Sequence, residues 1–135
     1  MNKYLQKIIQ DAFDRKISDV YFLPEKENYK IKFHDGQDVF NYRLIRFSVA
    51  EKLFSYLKFR AQMNITENRR PQVGSIDFLI ESGELALRIS TVSDFKNQET
   101  MVIRLLYDKA NIQLNWLNED QLIKIKIKFL HKVWF

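Results

Sequence analysis

The sequence predicts an α+β domain: an antiparallel sheet of about six strands with helices packed on one face. Three observations carry that prediction. Two segments space their apolar residues as a helix does, and six others read as strands, most of them alternating apolar and polar residues. Short turn signals join neighbouring strand segments, which makes them hairpins and the sheet antiparallel. The order is helix, three strands, helix, three strands, with no repeat of the roughly 20–50 residues that would mark a solenoid or propeller.

Each element has its own signal. Leu5, Ile8, Ile9, Ala12 and Phe13 fall on one helical face, with Lys7, Gln10, Asp11 and Asp14 on the other. Ser18-Asp19 interrupts that helix, and Val20 to Leu23, ending at Pro24, suits a short buried strand. Tyr29, Ile31 and Phe33 alternate with Lys30, Lys32 and His34, as a half-exposed strand does. Asp35-Gly36 is a hairpin turn, with Val39, Phe40 and Tyr42 in the returning strand. Ser48-Val49-Ala50-Glu51 reads as a capping box, and Val49, Leu53, Tyr56, Leu57 and Ala61 extend it into a helix over about 49–62. The arginine-bearing stretch Asn64 to Gly74 shows no period.

Ile76, Phe78 and Ile80 mark a fourth strand, and Leu85, Leu87 and Ile89 a fifth, with Ser82-Gly83 as the turn between them. Met101, Ile103 and Leu105 mark the sixth, after the polar connection Asp94 to Thr100. From Asn111 the reading stays open. Leu122, Ile123, Phe129, Leu130 and Val133 fit a helix face, while Ile123, Ile125, Ile127 and Phe129 alternating with lysines fit a strand equally well.

Composition narrows the function classes. A chain of 135 residues is expected to be one domain. It can bury roughly 68% of its unfolded surface, so it needs no metal or disulfide staple. With no cysteine there is no disulfide, iron–sulfur cluster or thiol nucleophile. The two histidines, His34 and His131, leave little for a metal site. The apolar runs are too short to span a bilayer, and the start lacks the apolar core of a signal peptide, so a cytosolic protein is expected. The net charge of +5 suits an anionic partner but also ordinary solubility.

Enzyme constellations are missing. The three glycines, Gly36, Gly74 and Gly83, form neither a phosphate loop nor a dinucleotide fingerprint, so no catalysis is expected of this chain alone. The informative stretch is Glu67 to Ser75, where Arg69 and Arg70 stand in a turn-rich connection able to present phosphate-clamping guanidinium forks. Arg88 and Arg104 sit between core-facing residues of their strands, so both point to the opposite sheet face.

The spacing of several blocks adds a family resemblance. Ser18-Asp19-Val20-Tyr21-Phe22-Leu23-Pro24 resembles the S-D-[IV]-H-[IF]-x-P start of the secretion and pilus-assembly ATPases. Lys58-Phe59-Arg60-Ala61 is similar to their K-x-x-A, and Glu67 to Gly74 to their E-x-R-x-P-Q-x-G. Arg88-Ile89-Ser90-Thr91 is similar to R-[VIL]-S-T, and Glu99 to Leu106 to E-x-x-V-[IL]-R-L-L. These ordered blocks cover about residues 11–108 and most resemble the competence ATPases of Gram-positive bacteria. Tyr21 departs from the usual His, and Val73 and Ser75 stand where secretion-type members often show Asp and Arg.

The resemblance implies a PAS-like N-terminal domain over residues 1–110, with 111–135 a linker or truncated start of the ATPase domain. It implies a hexameric motor that drives pseudopilus assembly for DNA uptake, with ATP and magnesium bound by the parent protein and no cofactor in this chain. Arg69 and Arg88, then Arg104, are the implied phosphate-contacting residues. The implied partners are a RecA-like ATPase domain, neighbouring ring subunits and an inner-membrane assembly platform protein. A peripheral place at the inner face of the cell membrane follows, with no transmembrane segment and no direct nucleic-acid contact. Two other classes stay open on the residues alone: a stand-alone PAS-like ligand-binding module, and a nucleic-acid binder using Arg69, Arg70 and the lysine-rich tail.

Overall fold

The computed structural model describes residues 2–112 apart from 95 and 97. Its elements are α1 (Asn2–Asp14), β1 (Asp19–Glu25), β2 (Asn28–His34), β3 (Val39–Arg46), α2 (Phe47–Arg60), β4 (Gln72–Ile80), β5 (Gly83–Ser93) and β6 (Glu99–Ile112). The class is the α+β one the sequence predicts, with six antiparallel strands and two helices, and the arrangement is consistent with a PAS-like one. The tail residues Lys124, Lys126, Lys128, Lys132, Trp134 and Phe135 lie outside the described residues.

The strand order is β3-β2-β1-β6-β5-β4. Hairpins β1–β2–β3 form one half of the sheet and β4–β5 the other, and β6, the last of the described strands, joins them by pairing with both β1 and β5. One face is the core. Leu5, Ile8, Ile9 and Ala12 of α1 and Leu53, Phe54 and Leu57 of α2 are buried with Val20, Phe22, Ile31, Phe33, Phe78, Leu87, Ile89 and Ile103 of the sheet. Burial of side chains this large, at roughly 1.5–3 kcal/mol each, is the main favourable term. Phe54 meets Phe22 and Tyr29 edge to face, with ring centroids 5.6 and 5.1 Å away. Among the described residues, no helix covers the other face.

Three local expectations shift. The capping box at Ser48 does not form. The helix starts at Phe47, and its N-cap is Arg46 in extended conformation, with no side-chain cap bond. The chain passes straight from β3 into α2, and the Phe47 amide donates to the Glu27 carbonyl, so Ser48 already lies in the first turn. At the other end α2 stops at Arg60 rather than 62, because Gln62 turns into the left-handed region (φ +58°). Its amide donates to Phe59 and that of Met63 to Lys58, a Schellman motif without glycine. Lys16 (φ +58°) ends α1 in the same way.

β4 also begins earlier than its apolar residues announce. Gln72 pairs with Thr91 and Gly74 with Ile89, so at this end the helix-facing positions hold Gln72 and Gly74. No apolar alternation marks a strand there.

Candidate functional site

Arg88 lies between Leu87 and Ile89, both fully buried, and Arg104 between Ile103 and Leu105, also buried. The pleat therefore sends both guanidinium groups to the uncovered face, where both residues are exposed. Strand register then brings them together. Arg88 stands directly opposite Arg104, with Ser75 opposite Arg88 on its other side. Asp19 is opposite Arg104, and His34 opposite Asp19. One row, Ser75, Arg88, Arg104, Asp19 and His34, crosses five strands.

Like charges directly opposite each other on a sheet are unfavourable, and here one carboxylate offsets them. Arg104 Nε donates to Asp19 Oδ1 at 2.9 Å. Asp19 is buried at 5% exposure, and its Oδ2 accepts from Ser18 Oγ at 3.3 Å and lies 3.4 Å from His34 Nδ1. The Asp19 bond, then its charge, raises the Arg104 pKa, so that guanidinium stays protonated. Arg104 is thus oriented, with 58% of its side chain still exposed. Arg88 has no ion pair or side-chain hydrogen bond among the described residues. Half-buried Tyr21, Leu23, Val102 and Leu106 and exposed Val73 and Val92 surround the row.

Arg69 is not in that row. It stands in the loop between α2 and β4, where Glu67 Oε1 accepts the backbone amides of Arg69 at 2.8 Å and Arg70 at 3.0 Å. Those two amides, Arg69 first, hold the Glu67 carboxyl below its ordinary pKa. Gln72 clamps the base of the loop. Its Oε1 accepts the Asn64 amide at 2.8 Å, and its Nε2 donates to the carbonyls of Asn64 (3.0 Å) and Glu67 (3.3 Å). Both arginine side chains are left exposed.

Under the loop lies an ion pair the sequence did not single out. Lys58 Nζ is 2.7 Å from Glu99 Oε2, with side-chain exposures of 3% and 10%. Nζ also donates to the Glu67 carbonyl at 3.0 Å. Tyr29 OH donates to the Glu99 carbonyl. Gly74 lets the strand approach this corner, since a Cβ there would stand 2.8 Å from Ala61 Cβ and 3.0 Å from its carbonyl oxygen. The sequence marks Lys58 and Glu99 as the first residues of two separate motif blocks, and neither block declares that the two side chains pair.

Guanidinium groups on an open face can clamp phosphate oxygens. Among the described residues, no group of three or more His, Asp or Glu side chains is placed to hold a metal ion. No described helix is long and apolar enough to cross a membrane.

Comparison with known proteins agrees with the motifs. The family described as Type II/IV secretion system protein matches residues 1–130. The competence protein ComGA of Streptococcus pneumoniae is 33% identical over 114 residues, covering 84% of this chain and 36% of that protein. ComGA of Bacillus subtilis is 30% identical over 106 residues, covering 78% and 30% respectively. The type IV pilus assembly ATPase PilB of Myxococcus xanthus is 29% identical over 114 residues, covering 84% and 20%. This chain therefore spans about a third or less of the length of these relatives. With the match running over nearly its whole length, the chain belongs to the type II/IV secretion system protein family, as an N-terminal domain similar to that of ComGA and PilB.

Proposed function

We propose that this chain is the non-catalytic N-terminal domain of a hexameric competence ATPase that drives pseudopilus assembly for DNA uptake. In this reading it supplies Arg69 and Arg88 to the nucleotide phosphates, and it packs against a RecA-like ATPase domain and neighbouring ring subunits. The observation that carries the reading is Arg88. It is an exposed guanidinium opposed by Arg104 and unpaired among the described residues, on a sheet face that no described helix covers.

In this reading a phosphate anion binds at that row, beside Arg88. A guanidinium fixed where negative charge develops on a transferring phosphoryl group stabilises the transition state. ATP fits these donors, whereas the described residues offer no cluster of oxygen ligands for magnesium, so in this reading the parent's ATPase domain holds the metal. Arg104, already bonded to Asp19, orients and neutralises more than it clamps. The inner face of the cell membrane is the proposed place of work, beside an assembly platform protein. The alternative of a stand-alone ligand-binding module is less well supported, because Leu5, Ile9, Phe22, Phe54 and Leu57 fill the layer between helices and sheet.

The test is made in an intact ATPase of the family carrying arginines at the matching positions. Arg88→Ala and Arg69→Ala are each expected to lower kcat/KM for ATP by at least tenfold with the ring intact. An unchanged ATPase rate and nucleotide affinity would sink the assignment.

A further inference from the structure

We infer that Lys58 and Gln72 are positioning residues that hold the Arg69 loop in its presenting conformation, with the buried carboxylate of Glu99 anchoring Lys58. This rests on the reading of Arg69 given above and adds the device that serves it. The loop from Ala61 to Pro71 contains no helix or strand, so its shape depends on side chains reaching into it.

Three connected contacts supply that shape. Lys58 crosses from α2 to the Glu67 carbonyl, Gln72 reaches back from β4 to Glu67 and Asn64, and the Glu67 carboxylate gathers the amides of Arg69 and Arg70. Glu67 is thus held through its carbonyl oxygen while its side chain holds the arginines. The anchor lies deep. Lys58 and Glu99 sit against each other at 2.7 Å from α2 and β6, elements distant in sequence, and Glu99 is fixed again through Tyr29 OH at its carbonyl.

A fully desolvated lysine whose remaining donor capacity is aimed at a loop carbonyl is an expensive arrangement if stability alone is served. An apolar residue of the same length would fill the space with less desolvation. Here the charge locates one carbonyl of an otherwise irregular loop. Arginine guanidinium groups act on phosphates through geometry, and a misplacement of about 1 Å can cost roughly a hundredfold in rate. An anchored loop meets that requirement.

Backbone order parameters measured by NMR relaxation on the 135-residue chain test this. Arg69 and Arg70 are expected near the rigid value of about 0.85 in the unaltered protein and below about 0.6 in Lys58→Met, which keeps the apolar stem and removes the donor. The strands β1 and β2 should keep their values. Lys58→Arg, which preserves charge and donors, should return both residues to within about 0.1 of the unaltered protein.

Rigid values at 69 and 70 in a folded Lys58→Met chain would overturn the proposal, as would failure of Lys58→Arg to restore them. Should Lys58→Met not fold, Gln72→Leu leaves the ion pair intact and interrogates the same two amides, with loss of order expected and retained order overturning the proposal. The outcome is separable from the function of Arg69. An Arg69→Ala ATPase with unchanged rate and nucleotide affinity removes the nucleotide role and leaves the lock standing, while an ordered loop without Lys58 removes the lock and leaves Arg69.

Discussion

At the scale of single residues, several of the side chains behind the family resemblance build one corner of the fold. Lys58, Glu67, Gln72 and Glu99 bond to one another or to the loop, and Gly74 makes room beside Ala61. The side chains of Arg69 and Arg88 remain outside that network, although the Arg69 amide is held by Glu67. Gly74 offers the sharpest structural test. An alanine there would meet both the side chain and the backbone of Ala61, and backbone cannot swing away as a flexible side chain can. Overpacking of this kind costs typically 1–3 kcal/mol. Gly74→Ala should therefore lower the thermal midpoint by about 5–15 °C; an unchanged midpoint would show that the corner relaxes freely.

At the scale of elements, the contrast lies between periodic segments and their ends. The apolar stripes of α1 and α2 and the alternation in β2, β5 and β6 were legible, because burial on one face imposes a period on sequence. Ends obey local bonding, which the sequence disguises. Lys16 and Gln62 adopt left-handed turns ordinarily signalled by glycine, and Ser48 imitates a cap it does not provide. Ser48→Ala should accordingly change stability by less than about 0.5 kcal/mol in a denaturant titration. A loss of about 1 kcal/mol, usual for a true cap, would contradict the N-cap at Arg46.

The candidate site divides along the same line. The outward direction of Arg88 and Arg104 follows from alternation, but their direct opposition depends on β5–β6 register, which no residue pattern declares. The loop lock was hidden because its partners, Lys58 and Glu99, lie far apart in sequence.

At the scale of the whole molecule, tyrosines, two of them buried and one half-buried, tie distant parts together. Tyr29 OH reaches the Glu99 carbonyl, Tyr107 OH the Ile17 carbonyl at 2.6 Å, and Tyr42 OH the Asp11 carboxylate. Burial, chiefly, pushes Tyr29 and Tyr42 up to about 12, and Tyr107 higher still. The folded state therefore favours the neutral phenols. Their contribution is complete below the unfolded value near 10 and is lost as pH rises through 12. Unfolding monitored by circular dichroism should show stability falling between about pH 10 and 12, with phenolate absorbance at these residues lagging that of exposed tyrosines. Phenolate formation by every tyrosine near pH 10 in the folded protein would contradict their burial.

The seam between β1 and β6 has a consequence for how the molecule is made. Asp19 meets Arg104 across 85 positions of chain, and β6, which joins the two halves of the sheet, is the last of the described strands to be synthesised. At translation rates of about 5–20 residues per second, β1 waits roughly 4–17 s for its neighbour. During that interval the first hairpins present an open, apolar-faced strand edge, the kind of surface that captures other chains. Nascent chains of this domain are thus expected to need shelter until β6 emerges, and slow β6 pairing is expected to set the pace of refolding.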